Sequence, residues 1–218
     1  MAERIAVIDY GAGNLRSVAK ALEAASNEIG VAVQIVVTDS PSTASQADRI
    51  VLPGVGAFGQ CATSLRAIDG MEDVLSEVVL VKQRPFLGIC VGMQLLAKRG
   101  EEKGVHQGLG WIPGKVVKLD PHDPNLKIPH MGWSPVSMKL AGINHDALRH
   151  IEDGGEAYFV HSFHFECADH SHLLATCDYG GPVTAIIGRD NILGAQFHPE
   201  KSQHYGLSFL AAFLGWTP

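Results

Sequence analysis

The sequence predicts an α/β fold of three layers, a doubly wound and mostly parallel sheet with antiparallel extensions. Three observations lead there. Apolar runs of strand length alternate with helical-period segments through the first half. Those runs are uninterrupted, as strands covered on both faces must be. The second half packs strand-like runs close together behind short turns, the spacing of antiparallel or mixed neighbours.

Taken in order, Ile5–Ile8 is a buried strand, followed by a glycine turn and a helix from about Leu15 to Ala25. Val33–Val37 is the next strand, ended by Asp39, Ser40 and Pro41, and Ile50–Leu52 is the third, closed by Pro53-Gly54. A helical stretch from Gln60 to Lys82 breaks near Asp69-Gly70. Pro85–Ile89 is the fourth strand, and Gly92 to Lys98 reads as helix. Val116–Leu119, Ala157–Val160, Leu173–Thr176, Val183–Ile187 and Ile192–Phe197 are the strand-like runs that extend the sheet, and a helix from His204 to Leu214 closes the chain. No repeat or linker divides residues 1–218, which are expected to form a single domain.

Composition narrows the function. A net charge of −6, with both signs interspersed, speaks against a nucleic-acid partner. No apolar run approaches the ~20 residues of a membrane span, and no secretory h-region follows the N-terminus. Cys61, Cys90, Cys167 and Cys177 are scattered and form no CxxC pair, so neither a disulfide framework nor a thiolate metal site is expected. A reducing cytoplasm is the simplest compartment.

Gly88-Ile89-Cys90-Val91-Gly92 joins a buried strand to a helix with the glycine spacing of a nucleophile elbow. Side chains two residues either side of the nucleophile would collide in so sharp a turn. Cys90 then meets a helix N-terminus, which favours a thiolate, and the Val91 N–H is directed at a developing oxyanion. In Gln196-Phe197-His198-Pro199-Glu200, residues i and i+2 share a face, so Glu200 can accept the His198 imidazole N–H and leave the other nitrogen for the thiol. That is the logic of a nucleophile, a base and its orienter. In Leu52–Phe58, the glycines around Val55 let backbone approach a substrate and rotate a peptide to aim an N–H at it, and an ordinary Gly-rich βα turn carries the same glycines.

These residues resemble the triad (class I) glutamine amidotransferases. Asp9–Val18, Leu52–Phe58, Pro85–Leu96, Gly108–Gly110, Pro129–Trp133, Tyr158–Ser162 and Gln196–Ser202 resemble more narrowly the glutaminase subunits of imidazole glycerol phosphate synthase, and in order span nearly the whole chain. The resemblance implies a class I amidotransferase-like fold, catalytic Cys90, His198 and Glu200, and oxyanion residues in the Val55-Gly56 segment. It implies Gln94 and Ser162 near bound glutamine, and Asn14, Trp133, Tyr158 and Lys201 near a subunit interface. It implies no cofactor and a separate cyclase subunit, a (β/α)8 barrel, bound as a heterodimer and fed with ammonia. Two places depart from the pattern: the segment Phe163-His164-Phe165, where tyrosines often follow His-Ser, and Ser134, where Asn is common. They bear on glutamine positioning or partner contact.

Other readings compete. Gly11-Ala12-Gly13 with Asp39 imitates a dinucleotide fingerprint, but Arg16 stands where the third glycine belongs. His161, His164, Glu166, His170 and His172, and His122 with His130, raise a metal site, yet His161 and His164 would face opposite sides of a strand, and no metal is expected. A cysteine peptidase on a similar sheet, an anthranilate-synthase-type subunit and a non-enzymatic module with a spent site are the remaining alternatives.

Overall fold

The structure, a computed structural model, describes residues 2–218. Its first half alternates β1 (Glu3–Ile8), α1 (Leu15–Glu28), β2 (Val33–Thr38), α2 (Pro41–Ala44), β3 (Arg49–Gly54), α3 (Phe58–Arg66) and α4 (Met71–Ser76). A π-helical turn, Glu77–Val81, leads from α4 into β4 (Phe86–Cys90) and α5 (Val91–Gln94). The second half holds β5 (Arg99–Gly100), β6 (His106–Gln107), β7 (Gly114–Lys118), β8 (His130–Pro135), β9 (Ser137–Met138) and α6 (Leu140–Ile143). β10 (Glu156–His161), β11 (Phe163–Cys167), β12 (Leu173–Asp178), β13 (Pro182–Arg189), β14 (Ile192–Ala195) and α7 (Gln203–Gly215) complete it.

Among the described residues, an eight-stranded sheet runs β2-β1-β3-β4-β14-β13-β12-β9. β2, β1, β3, β4 and β14 are parallel, and β13, β12 and β9 add antiparallel strands at one side. Every residue of β3 and β4 is buried, as is the run Ile5–Ile8. Successive side chains point to opposite faces, so both faces are covered. α1 packs beside α7. Arg49, buried at the start of β3, donates to the Phe213 and Trp216 carbonyls at the end of α7 and pairs with Glu3 at 2.8 Å. A cation thereby meets the negative end of the helix.

The second half corrects the sequence reading. Only the runs at Leu173–Thr176, Val183–Ile187 and Ile192–Ala195 join the large sheet. The run at Ala157–Val160 lies in β10 and pairs with β8 as a separate two-stranded ribbon. β7 joins β11, β5 and β6 in a four-stranded sheet. β8 and β11 were not anticipated, because β8 carries Gly and Pro and β11 follows β10 after a single residue, Ser162. The helix expected over Gly92–Lys98 ends at Gln94. Beyond it the Leu95, Leu96 and Ala97 N–H groups still bond back into the turn, and Gly108 packs against the Ala97 carbonyl, so the chain bends into β5.

The elbow glycines are fixed by contact. A Cβ on Gly92 would lie 1.8 Å from the Leu52 carbonyl oxygen, and one on Gly88 would lie 2.7 Å from the Gly92 carbonyl oxygen. Both obstacles are backbone, so neither swings aside. Gly92→Ala is expected to destabilise the fold by about 1–3 kcal/mol or more, a Tm loss of a few degrees or more. Gly215→Ala, where a Cβ meets nothing within 4 Å, is the control and should leave Tm nearly unchanged. Equal Tm values in a thermal melt would refute the contact argument.

Candidate active site

Three parallel strands end together. Gly54 of β3 lies opposite Cys90 of β4, and Ala195 of β14 lies opposite Ile89, so Gln196 emerges beside Cys90. This is the carboxyl edge of the parallel sheet, where open α/β folds hold their ligands. Cys90 adopts φ 54°, ψ −112°, a left-handed conformation that costs an L-residue about 1–3 kcal/mol. The two close-packed glycines hold it there. The Val91 N–H follows in the first turn of α5, where amides have no intrahelical partner.

Cys90 lines a cavity of ≈ 330 Å³ together with Val55, Gly56, Val91, Gln94, Ser162 and His198. Each residue singled out around the nucleophile from the sequence therefore borders one space, except Glu200, which stands behind His198. Glu102, Pro129, Val160, His161 and Phe163 also line it. Of these, sequence reasoning had linked only Phe163 to glutamine positioning; Glu102 arrives from the turn between β5 and β6, where nothing local marks it.

His198 and Glu200 meet through a 3-10 turn, Pro199–Lys201, rather than along an extended strand. Glu200 Oε1 accepts from His198 Nδ1 at 3.0 Å, with the two side chains 2% and 3% exposed. That bond assigns the proton to Nδ1 and turns Nε2 outward as the acceptor or acid. Burial pulls the His198 imidazole down, but the Cys90 sulfur and the Glu200 carboxylate outweigh it and hold it up at about 9. Nε2 has no hydrogen-bond partner within geometric limits, and borders the cavity with the Cys90 sulfur. The turn itself is clamped to β10. The His198 N–H donates to the Tyr158 carbonyl at 3.0 Å, the Tyr158 N–H donates to Ser202 Oγ at 2.9 Å, and that hydroxyl donates to the His198 carbonyl at 2.7 Å.

The oxyanion segment is exposed at Val55 and Gly56, with Gly56 at φ +100°. The Cys61 thiol of α3 donates to the Val55 carbonyl at 3.3 Å. In a trans peptide this turns the Gly56 N–H to the opposite side.

Behind the cavity wall a chain of hydrogen bonds has one consistent direction. The Phe163 carbonyl can only accept, so His161 Nδ1 donates to it at 2.9 Å. His161 Nε2 then accepts from His130 Nδ1 at 3.1 Å, and His130 Nε2 accepts from the Ser134 hydroxyl at 2.9 Å. Burial pushes His161 down to about 3 and His130 down to about 4, which keeps both neutral, as these bonds require. Ser134, one of the two departures, thus ends this chain. His161 closes β10 while His164 lies in β11. Among the described residues no group of three or more His, Cys, Asp or Glu is arranged to hold a metal ion.

The residues expected at an interface lie apart from the cavity. Trp133 and Tyr158 are cross-strand partners in the β8–β10 ribbon, their rings edge-to-face at 5.8 Å, and Lys201 Nζ stands 5.9 Å from the Tyr158 ring centroid. Trp133, Lys201 and neighbouring Met131 are exposed. Asn14, also exposed, precedes α1.

Comparison with known proteins places this geometry. The family described as glutamine amidotransferase class-I matches residues 6–214. The chain is 58% identical over 215 residues to the imidazole glycerol phosphate synthase subunit HisH of Rhodospirillum rubrum, covering 99% of this chain and 100% of that one. It is 60% identical over 215 residues to the HisH subunit of Zymomonas mobilis, covering 98% and 96%. Among solved structures, one glutamine amidotransferase superposes with a TM-score of 0.67 at 17% identity, covering 95% of this chain and 98% of the other. Another, from Thermotoga maritima, gives 0.60 at 19% identity, covering 92% and 77%. At those identities they speak for the fold. Elbow, strand order and full-length identity agree, and the chain belongs to the class I glutamine amidotransferases and, within them, to the HisH subunits of imidazole glycerol phosphate synthase.

Proposed function

We infer that the chain is the glutaminase subunit of imidazole glycerol phosphate synthase, hydrolysing glutamine to glutamate and ammonia for a separate (β/α)8-barrel cyclase in histidine biosynthesis, in the cytoplasm. The observation that carries the reading is the shared cavity: a strained Cys90 faces it alongside His198, and His198 is held by buried Glu200. Full-length identity to HisH subunits of imidazole glycerol phosphate synthase supports the reading.

Cys90 thiolate attacks the carboxamide carbon of glutamine, and the carbonyl oxygen becomes an oxyanion. N–H groups of the Val55-Gly56 segment and Val91 stabilise it, a contribution of about 3–4 kcal/mol per donor. With an imidazole held at about 9, His198 is protonated at neutral pH and donates to the departing ammonia as the C–N bond breaks. The neutral imidazole then takes a proton from water as that water attacks the thioester, and glutamate and the thiolate are released. Glu200 keeps the ring in one tautomer throughout. Gln94 and Ser162 border the glutamine, and Asn14, Trp133, Tyr158 and Lys201 belong to the surface that meets the cyclase.

The exposed Val55-Gly56 segment implies control by the partner, because a peptide held by one weak thiol bond reorients at little cost. Glutaminase activity is expected to be low in the isolated chain and to rise by ~5–150-fold or more with the cyclase and its nucleotide bound. Glutamine hydrolysis assayed with and without the cyclase checks it. High activity unchanged by the partner would sink the gating idea, and absence of glutamine-dependent product from the mixture would sink the function.

A further inference from the structure

We propose that Gln196 is a positioning residue for Cys90, donating a side-chain N–H to its sulfur and thereby favouring the thiolate. The proposal rests on Cys90 being the nucleophile. Gln196 Nε2 lies 3.7 Å from Cys90 Sγ, within the range of a hydrogen bond to sulfur. Gln196 is fully buried, and its backbone N–H donates to the Ala185 carbonyl at 2.9 Å, so its Cα is tied to the sheet.

An amide can be turned end for end, and the surroundings fix which end faces the sulfur. Gln94 reaches the Phe163 carbonyl at 3.0 Å, and a carbonyl only accepts, so the Gln94 atom there is Nε2. The same Nε2 lies 3.0 Å from the near end of the Gln196 amide, which must therefore be the oxygen Oε1. Turning Gln196 would set two NH2 groups against each other. Turning both would set Gln94 Oε1 against the Phe163 carbonyl. Only the observed arrangement leaves no buried donor or acceptor opposed. His161 Nδ1 donates to that same carbonyl, which holds it in place. The end of Gln196 facing Cys90 is thus a donor, and a donor stabilises S⁻ more than S–H.

Other groups also act on the sulfur. His198, backed by Glu200, faces it from the turn after β14, and Tyr10 beyond β1 and Cys61 on α3 couple to its charge. Glu102 and His161 line the same cavity. Gln196 differs from these in being uncharged, so its effect persists across the titration of all of them.

The test is the pH dependence of iodoacetamide alkylation of Cys90 in the full chain, followed on the Cys90 peptide by mass spectrometry. Gln196→Met keeps an unbranched side chain of similar length without the donor. Its alkylation is expected to be ~10-fold slower at pH 6.5, converging with the unaltered protein at high pH, since a hydrogen bond to a charged group is of that strength. Gln94→Leu, which frees the Gln196 amide, should shift the profile the same way by less. A filler with no role towards the sulfur would leave the profile in place while lowering Tm, and that result overturns the proposal. If Gln196→Met does not fold, the Gln196 side-chain amide of the unaltered protein is followed by 15N NMR. It should move with the Cys90 titration and stop moving in Cys90→Ser; an amide blind to that titration overturns the proposal. The nucleophile reading fails separately, by glutamine turnover persisting without the Cys90 thiol.

Discussion

Cys90→Ala is expected to lower glutamine turnover by about 10⁴-fold or more, while the complex with the cyclase still makes product from added ammonia. The magnitude follows from the chemistry. Without the thiol no thioester forms, and water would have to attack an amide directly. His198 and the backbone donors remain, and such a residual site typically retains ~10³–10⁴-fold catalysis over water. The substitution is gentle to the fold, since Cys90 is 4% exposed and Ala removes one sulfur from a cavity wall. Its φ of 54° is strained for Cys and Ala alike, so the substitution leaves that strain unrelieved and Tm should fall only by the lost sulfur contacts. The paired assay separates chemistry from assembly: ammonia-dependent synthesis reports a working cyclase, co-elution of the two subunits reports the complex, and glutamine-dependent synthesis reports the nucleophile. Glutamine turnover that survived at more than a small fraction would remove Cys90 from its role.

Glu200→Gln should cost ~10³–10⁴-fold in kcat/KM and move the alkaline limb of the pH profile to lower pH. Glutamine keeps the shape and can still present an oxygen to His198 Nδ1, but then its NH2 takes the place of Glu200 Oε2, a buried atom with no partner in the protein. Turned the other way, it sets a donor against Nδ1 and drives the imidazole into the wrong tautomer. The direction of the pH shift follows from the charge. In the native chain burial lowers His198 while Cys90 and Glu200 raise it to about 9. Removing the carboxylate leaves burial less opposed, so the imidazole loses its proton at a lower pH and the acid needed for ammonia departure is depleted sooner. A profile with unchanged limbs would show that Glu200 holds the ring by packing alone.

The parts of the site legible in the sequence are those fixed by local geometry. Gly88 and Gly92 announce a turn too tight for side chains, and His198-Pro199-Glu200 are near neighbours whose separation hardly depends on the rest of the fold. The parallel half of the sheet was legible for a similar reason, since the fully buried β3 and β4 read as continuous apolar runs. Gln196 was in view within the same segment, yet its role depends on β14 lying beside β4 and on Gln94 and the Phe163 carbonyl turning its amide. The His161–His130–Ser134 chain was hidden likewise: the sequence marked the histidines as possible ligands, whereas they bond to each other through the β8–β10 pairing. Strands as short as β5 and β6 carry too little periodicity to be seen, and they set where Glu102 arrives.

The clamp between the Pro199 turn and Tyr158 adds a second anchor to the imidazole, beyond the sheet that carries both it and the sulfur. Cys90 ends β4 and His198 follows β14 of the same sheet, but the His198 N–H is also tied to Tyr158 of β10, in a ribbon that shares no strand with that sheet. The outward side of that ribbon carries Trp133 and Met131, both exposed. The ribbon is therefore a handle whose grip is at the surface and whose working end is the imidazole. A load on Trp133 would pass through its cross-strand partner Tyr158 to the His198 turn, whereas Cys90 has no such bond to the ribbon and is held by Gly88 and Gly92.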